Sequence, residues 1–229
     1  MRHGFLFLAL LSGLGACTTP QAVVVTRGQQ YARLYEEAPA SIVIMPPINR
    51  TNAVEAKDYL YTTLYRPLCE KGYYVFSPQL TMELFRTESA YDSELFLEGS
   101  LSRFRDVLGA DAAMFTIIKS WERDNADGKL TVQAEYILRS TVTGETLYHR
   151  EGRITVDLAT ESDEEGGLLE GLVNMLANAV VTALTDHVEA GRKCTAIVLS
   201  DLPLGRYAPE YGADREWKAG KSFIEQTVK

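Results

Sequence analysis

The chain predicts an α/β protein: a two-layer sandwich whose single mixed sheet of about five strands carries helices on one face. Three observations predict it. Two short strand-like runs, Ser41 to Met45 and Tyr73 to Pro78, each ended by proline, flank a segment with helical periodicity. Three longer strand-like runs follow one another between Ala112 and Leu158, separated by turn sequences. A long amphipathic stretch then covers residues 168–188. The order is therefore βαβ, two short helices, βββ and α.

Each element has its own reason. Ser41 to Met45 is rich in branched residues and is stopped by Pro46 and Pro47, as a buried strand would be. Between Val54 and Lys71, Leu60, Leu64 and Leu68 recur every fourth position, which stacks them on one helical face. Pro67 kinks that helix or marks its final turn, and Gly72 suits its exit. Short helices are predicted near Leu80 to Arg86 and Ser100 to Leu108, the second stopped by Gly109. Asp127-Gly128 is a hairpin dipeptide. After it, Leu130, Val132, Ala134, Tyr136 and Leu138 alternate with polar residues, the period-2 mark of a half-buried strand. Leu147 to Leu158 pairs back as a meander. An acidic loop with Asp163, Glu164 and Glu165 precedes the last helix, whose apolar face is Leu169, Leu172, Val173, Leu176, Val180 and Leu184. Pro203, Gly205, Pro209 and Gly212 predict an irregular tail over 205–229.

The amino end reads as a processing signal. Arg2 precedes the apolar run Phe5 to Leu11, which is too short to span a bilayer. Leu14-Gly15-Ala16-Cys17 then resembles the bacterial lipobox, in which the cysteine thiol receives a diacylglyceryl group before cleavage. Residues 1–16 are thus a signal peptide, residues 17–39 a lipidated tether, and 40–204 one α/β domain. Two or more acyl chains, diacylglyceryl and N-acyl on Cys17, make a stable anchor where one does not. Thr18 replaces the Asp that retains enteric-type lipoproteins at the inner membrane, which favours the outer membrane, facing the periplasm of a Gram-negative cell. With Cys17 consumed, Cys69 and Cys194 remain. They are either a disulfide in an oxidising compartment or two buried thiols.

A formal charge of -8 and a pI near 5.0 exclude nucleic acid as the expected partner, because phosphate neutralisation needs clustered Lys and Arg. His149 and His187 have no second ligand at metal spacing, and no nucleophile elbow or phosphate-binding glycine loop occurs. No cofactor and no metal are expected, and no catalytic residue is predicted. Asn49, Arg50, Thr51 and Asn52 follow the first strand, where α/β folds tend to bind ligands. They form a candidate ligand or partner loop, or a plain connection capped by Asn52. Tyr59, Tyr61 and Tyr65 on the following helix form a candidate partner-facing stripe, although core packing accounts for at least one of them.

Three stretches carry a resemblance: "SIVIMPPINRTNAVEAKDYLYTTLYRPLCEKGYYVFSP", "LGADAAMFTIIKSW" and "EYILRSTVTGETLYHREG". Together with "LPLGRY" they resemble the outer-membrane lipoproteins typified by a meningococcal genome-derived antigen, over roughly Ala38 to Pro209. The resemblance implies a fold similar to the TolB amino-terminal domain and no established enzymatic activity. It also implies neighbouring envelope lipoproteins as partners, one of them similar to the curli secretion channel. The expected function is a lipid-anchored, non-enzymatic periplasmic interaction module of an export or envelope-maintenance complex. The alternative is a solute-binding lipoprotein that presents a small molecule to a transporter.

Overall fold

The computed structural model describes residues 24–87, 91–124, 126–158 and 186–229. The signal segment, Cys17, the acidic loop and residues 168–185 of the predicted last helix lie outside them. Two short helices, α1 (Arg27–Gln30) and α2 (Ala32–Glu37), lead into β1 (Ser41–Ile44) and the two-residue β2 (Ile48–Asn49). Then come α3 (Ala56–Glu70), β3 (Tyr74–Val75), α4 (Pro78–Thr87), α5 (Glu94–Leu97) and α6 (Ser102–Leu108). A meander follows, β4 (Ala112–Asp124), β5 (Lys129–Ser140) and β6 (Thr146–Asp157). The helical residues 186–198 are α7, and β7 (Phe223–Val228) closes the order.

The strands make one mixed, seven-stranded sheet in the order β3-β1-β4-β5-β6-β7, with β2 pairing β4. β4 is the pivot, parallel to β1 and antiparallel to β5. β1 is buried along its whole length, as expected of a continuous apolar run in a parallel neighbourhood. β5 alternates between buried and half-buried residues, so one of its faces looks outward. The main core lies between Ile42, Ile44, Met114, Val132 and Tyr136 of the sheet and the leucines of α3, all fully buried. α7 adds Ala190, Cys194 and Val198 to it, also at 0% exposure.

Four details depart from the sequence reading. Helices cover both faces of the sheet at the β1 end, because Val43, Met45, Ala113 and Phe115 point away from α3 and pack on Phe85, Leu101 and Phe104. The tether predicted over 17–39 is firmly packed in its second half: Tyr31, Leu34 and Tyr35 are buried in the main core. Helix α7 runs ten residues past the predicted end at Val188, since the spacing of Ala190, Cys194 and Val198 continues its buried face. The tail predicted to be irregular over 205–229 contains β7, which pairs parallel to β6 from Glu151↔Phe223 to Val156↔Val228. Prolines and glycines dominate the tail's first half and hide the branched run in its second. Gly109 does stop α6, in the left-handed conformation (φ 72°) that favours glycine.

Candidate functional site

The carboxyl end of α7 runs into a turn of 3-10 helix, Leu199–Asp201, and leaves carbonyls without helical partners. Three cations converge on them. Arg150 Nη1 donates to the Val198 carbonyl (3.0 Å), while Arg27 Nη2 (3.2 Å) and Lys71 Nζ (2.6 Å) donate to that of Ser200. Positive groups at a helix carboxyl end oppose the negative end of its dipole. Tyr148 adds its hydroxyl to the Val198 carbonyl at 2.6 Å.

Two buried carboxylates complete this clasp. Asp201 accepts from Arg27 Nε (3.0 Å), the Tyr31 hydroxyl (2.8 Å) and the Gly220 amide (2.8 Å). Asp214 accepts from Arg27 Nη1 (3.4 Å) and the Leu204 amide (2.9 Å). Arg27 therefore ties the amino-terminal helix to two points of the tail. Burial beside Asp201 pushes the Tyr31 phenol far above its ordinary range, and burial among cations holds Lys71 below the usual ammonium range. Gly220 has no room for a side chain, because a Cβ there would stand 2.2 Å from Arg150 Nη2.

The clasp positions β7. Arg150 Nε donates to the Lys221 carbonyl (2.8 Å), and the Glu151 amide donates to that of Ser222 (2.9 Å). β7 is an end strand of the sheet, so its outer edge has no strand beside it among the described residues. Alternate residues of a strand bond to opposite neighbours. Since Ser222 faces β6, the amides of Phe223, Glu225 and Thr227 point to the open side. The outward face of the sheet continues from β7 across β6 and β5. There Lys119 Nζ lies 2.7 Å from both Glu135 and Glu151, Gln133 Nε2 donates to Glu151 (2.6 Å), and His149 Nε2 is 2.7 Å from Glu135. Burial alone would raise the Glu135 carboxyl, but hydrogen bonds from Lys119 and His149 hold it below its ordinary value. Lys119 is thus a cross-strand tie occupied by two carboxylates, not a free base.

The residues singled out from sequence meet different fates. Asn49 is wrapped in its own turn: its Nδ2 donates to the Ala53 carbonyl (2.7 Å), and its Oδ1 accepts from the Thr51 amide (3.0 Å) and hydroxyl (2.8 Å). Arg50 pairs with Glu94 at 3.0 Å. Asn52 is exposed and does not cap α3, whose cap position is Glu55. Asn49 and Thr51 thus bond within the turn, while Arg50 is engaged by α5. The tyrosine stripe also breaks up. Tyr61 is buried, donating to the Pro78 carbonyl (2.8 Å), and Tyr59 is half-buried in a ring stack with His187 and Trp121. Tyr65 alone of the three is exposed.

Cys69 and Cys194 are both free thiols, which corrects the bridged alternative. Cys194 is sealed in the core against Tyr136, whose hydroxyl donates to its Sγ (3.8 Å), and burial pushes its pKa up to about 12. Cys69 sits in the last turn of α3 beside Tyr65. Among the described residues no group of three or more His, Cys, Asp or Glu side chains is set to hold a metal, and no helix is long and apolar enough to cross a membrane. Sequence reasoning missed Arg27, Asp201, Asp214 and β7. Thr26 and Gln29, which do form a capping box, were a legible sign of order in the tether.

Comparison with known proteins adds a family. The model of a lipoprotein family described as GNA1162-like matches residues 29–202. Over 189 residues the chain is 26% identical to the lipoprotein NMB1124/NMB1162 of Neisseria meningitidis serogroup B, covering 82% of this chain and 85% of the relative. The crystal structure of lipoprotein GNA1162 from Neisseria meningitidis shares 25% identity at a TM-score of 0.47, covering 65% of this chain and 99% of that one. The PelC dodecamer from Paraburkholderia phytofirmans shares 12% identity at a TM-score of 0.42, covering 70% and 86%.

Proposed function

The chain belongs to the GNA1162-like lipoprotein family, and from that premise we propose that it is a lipid-anchored interaction module of the cell envelope. In this reading Cys17 carries the acyl chains and Thr18 directs the protein to the outer membrane, facing the periplasm. The folded part then docks other envelope lipoproteins, which the anchor keeps at high effective concentration by confining both to one surface. No catalytic step is assigned to it. The observation that supports the reading is the edge of β7, which has no strand beside it among the described residues and is tied down by the Arg27–Asp201 and Arg150–Lys221 contacts. A strand edge with free outward amides is a template for strand addition, in which main-chain hydrogen bonds supply affinity. The tyrosine helix, one candidate docking surface in the sequence, loses two of its three rings to packing, and this reading places docking on the β7 edge instead. The solute-binding alternative has less support at this loop, where Asn49 bonds within its own turn and Arg50 pairs with Glu94.

Glu225→Pro tests the edge directly. Proline removes one outward amide and leaves the β6 ladder intact, and edge strands tolerate it there. A photo-crosslinking residue at Thr227 should capture an envelope protein in living cells, and Glu225→Pro should abolish that capture while thermal stability stays within a few degrees. Capture that survives Glu225→Pro, or a protein repeatedly recovered alone, would remove the edge as the docking site.

A further inference from the structure

On the face of the sheet opposite α3, helices α4, α5 and α6 enclose a cavity of about 230 Å³. Leu84, Phe85, Phe96, Phe104, Val107 and Leu108 line it. Its aromatic floor is fixed by edge-on contacts, with Phe85 and Phe96 at 5.8 and 5.2 Å from the Phe104 ring. Val107 stands on its wall at 71% exposure, so the cavity opens to solvent. The same helices also leave Leu80 and Leu95 exposed, at 72% and 69%.

One charged residue shares the lining, Arg103. The arginines around it are engaged: Arg50 with Glu94, Arg86 with Glu83 and the Tyr91 ring, and Arg105 with Asp111. Arg103 is exposed and has no ion pair among the described residues. An apolar pocket with a single cation suits a ligand with one anionic end and no other polar group. A peptide segment fits poorly, because it brings a polar backbone unit at every residue and these walls have no side chain besides Arg103 to satisfy one. We propose that this cavity binds a single-chain amphiphile, with its alkyl tail among the phenylalanine and leucine side chains and its anionic head on Arg103. The head is a carboxylate or a phosphate, as in a free fatty acid or a lysophospholipid. This inference stands apart from the β7 edge, which lies at the opposite end of the sheet from β1 and β3.

The test uses the full chain carrying Cys17→Ser, so that no acyl group of its own competes. Dodecanoate, a twelve-carbon lysophosphatidylglycerol and dodecyltrimethylammonium are titrated separately by calorimetry, each below its micelle-forming concentration. Saturable one-to-one binding of either anionic probe, at least tenfold tighter than the cationic one, is the expected result. The tighter anionic probe identifies the head group. Arg103→Gln should weaken it about tenfold, and Val107→Asp should abolish it by placing a charge against the tail. Both positions are exposed, and unchanged melting of the two variants would show that they fold. Absence of saturable anionic binding, or an affinity indifferent to both substitutions, overturns the proposal. So does a co-purifying protein that protects Val107 from labelling in a chain that binds no amphiphile.

Discussion

Removing the guanidinium of Arg27 would strand two carboxylates, Asp201 and Asp214, whose side chains are 6% and 0% exposed. Breaking one partner of a buried ion pair costs far more than the pair itself contributes, because the remaining charge has lost both water and counter-charge. Arg27→Ala should therefore lower stability by about 3 kcal/mol in urea unfolding. An unchanged midpoint would show that water reaches the carboxylates and that the clasp is weaker than its geometry. The cysteines give a second residue-scale prediction. Burial raises the Cys194 thiol to about 12 and shields it, whereas Cys69 is half-buried. Alkylation of the native Cys17→Ser chain without reductant should add one label, at Cys69. No label at all would point to a bridge. Neither outcome could be read from spacing, since a disulfide depends on two Cα atoms coming within about 7 Å.

At the scale of an element, α7 is fastened to the sheet near its first described turn by a ring stack. Trp121 Nε1 donates to His187 Nδ1 at 2.8 Å, and the Tyr59 ring lies over His187 at a centroid distance of 5.8 Å. The bond requires a neutral imidazole with its proton on Nε2. Burial and Arg123 hold His187 below its ordinary value of 6.5, against smaller opposing effects of Asp186 and Glu55. With the folded value depressed, the contact is fully present above 6.5 and is lost as pH falls through the folded value. Melting temperature and Trp121 fluorescence should therefore decline together as pH drops from about 7.5 to 5. His187→Gln keeps an acceptor without a titrating ring and should flatten that change; a decline of equal size in the variant would assign it to other groups. The apolar periodicity of α3 and the alternation of β5 were legible because each depends on neighbours a few residues apart. The end of α7 was not, because the groups that satisfy the carbonyls there, Arg27, Lys71 and Arg150, come from three distant parts of the chain.

For the whole molecule, α1 and β7 are joined through the tail. The amino-terminal segment enters through α1, which the Arg27 contacts bind to the tail and, through the tail, to β7. Cys17→Ser should remove acyl incorporation, and residues 18–229 exported behind a secretory signal that is cleaved without lipid should move from the membrane to the soluble periplasmic fraction. With the fold unchanged, that release should also weaken crosslinking from β7 by lowering local concentration rather than contact affinity. A variant that stays in the membrane fraction would place the anchor elsewhere.

The sequence by itself determined the elements whose cause is local: the branched run of β1, the leucine spacing of α3, the alternation of β5, the glycine stop of α6, and the family to which "SIVIMPPINR" and "LGADAAMFTIIKSW" point. It also offered Cys17 as the expected anchor, by the order of charge, apolar run and small residues. Only the tertiary structure decided which candidate groups remain available. Asn49, Tyr61 and Cys194 are polar or reactive in the sequence, yet each spends its hydrogen-bonding or packing capacity inside the fold. The tail, unremarkable in composition, supplies an exposed strand because Asp201, Asp214 and Gly220 meet Arg27 and Arg150 across the whole length of the chain. Availability depends on what lies beside a group in space, and chain order does not encode that locally.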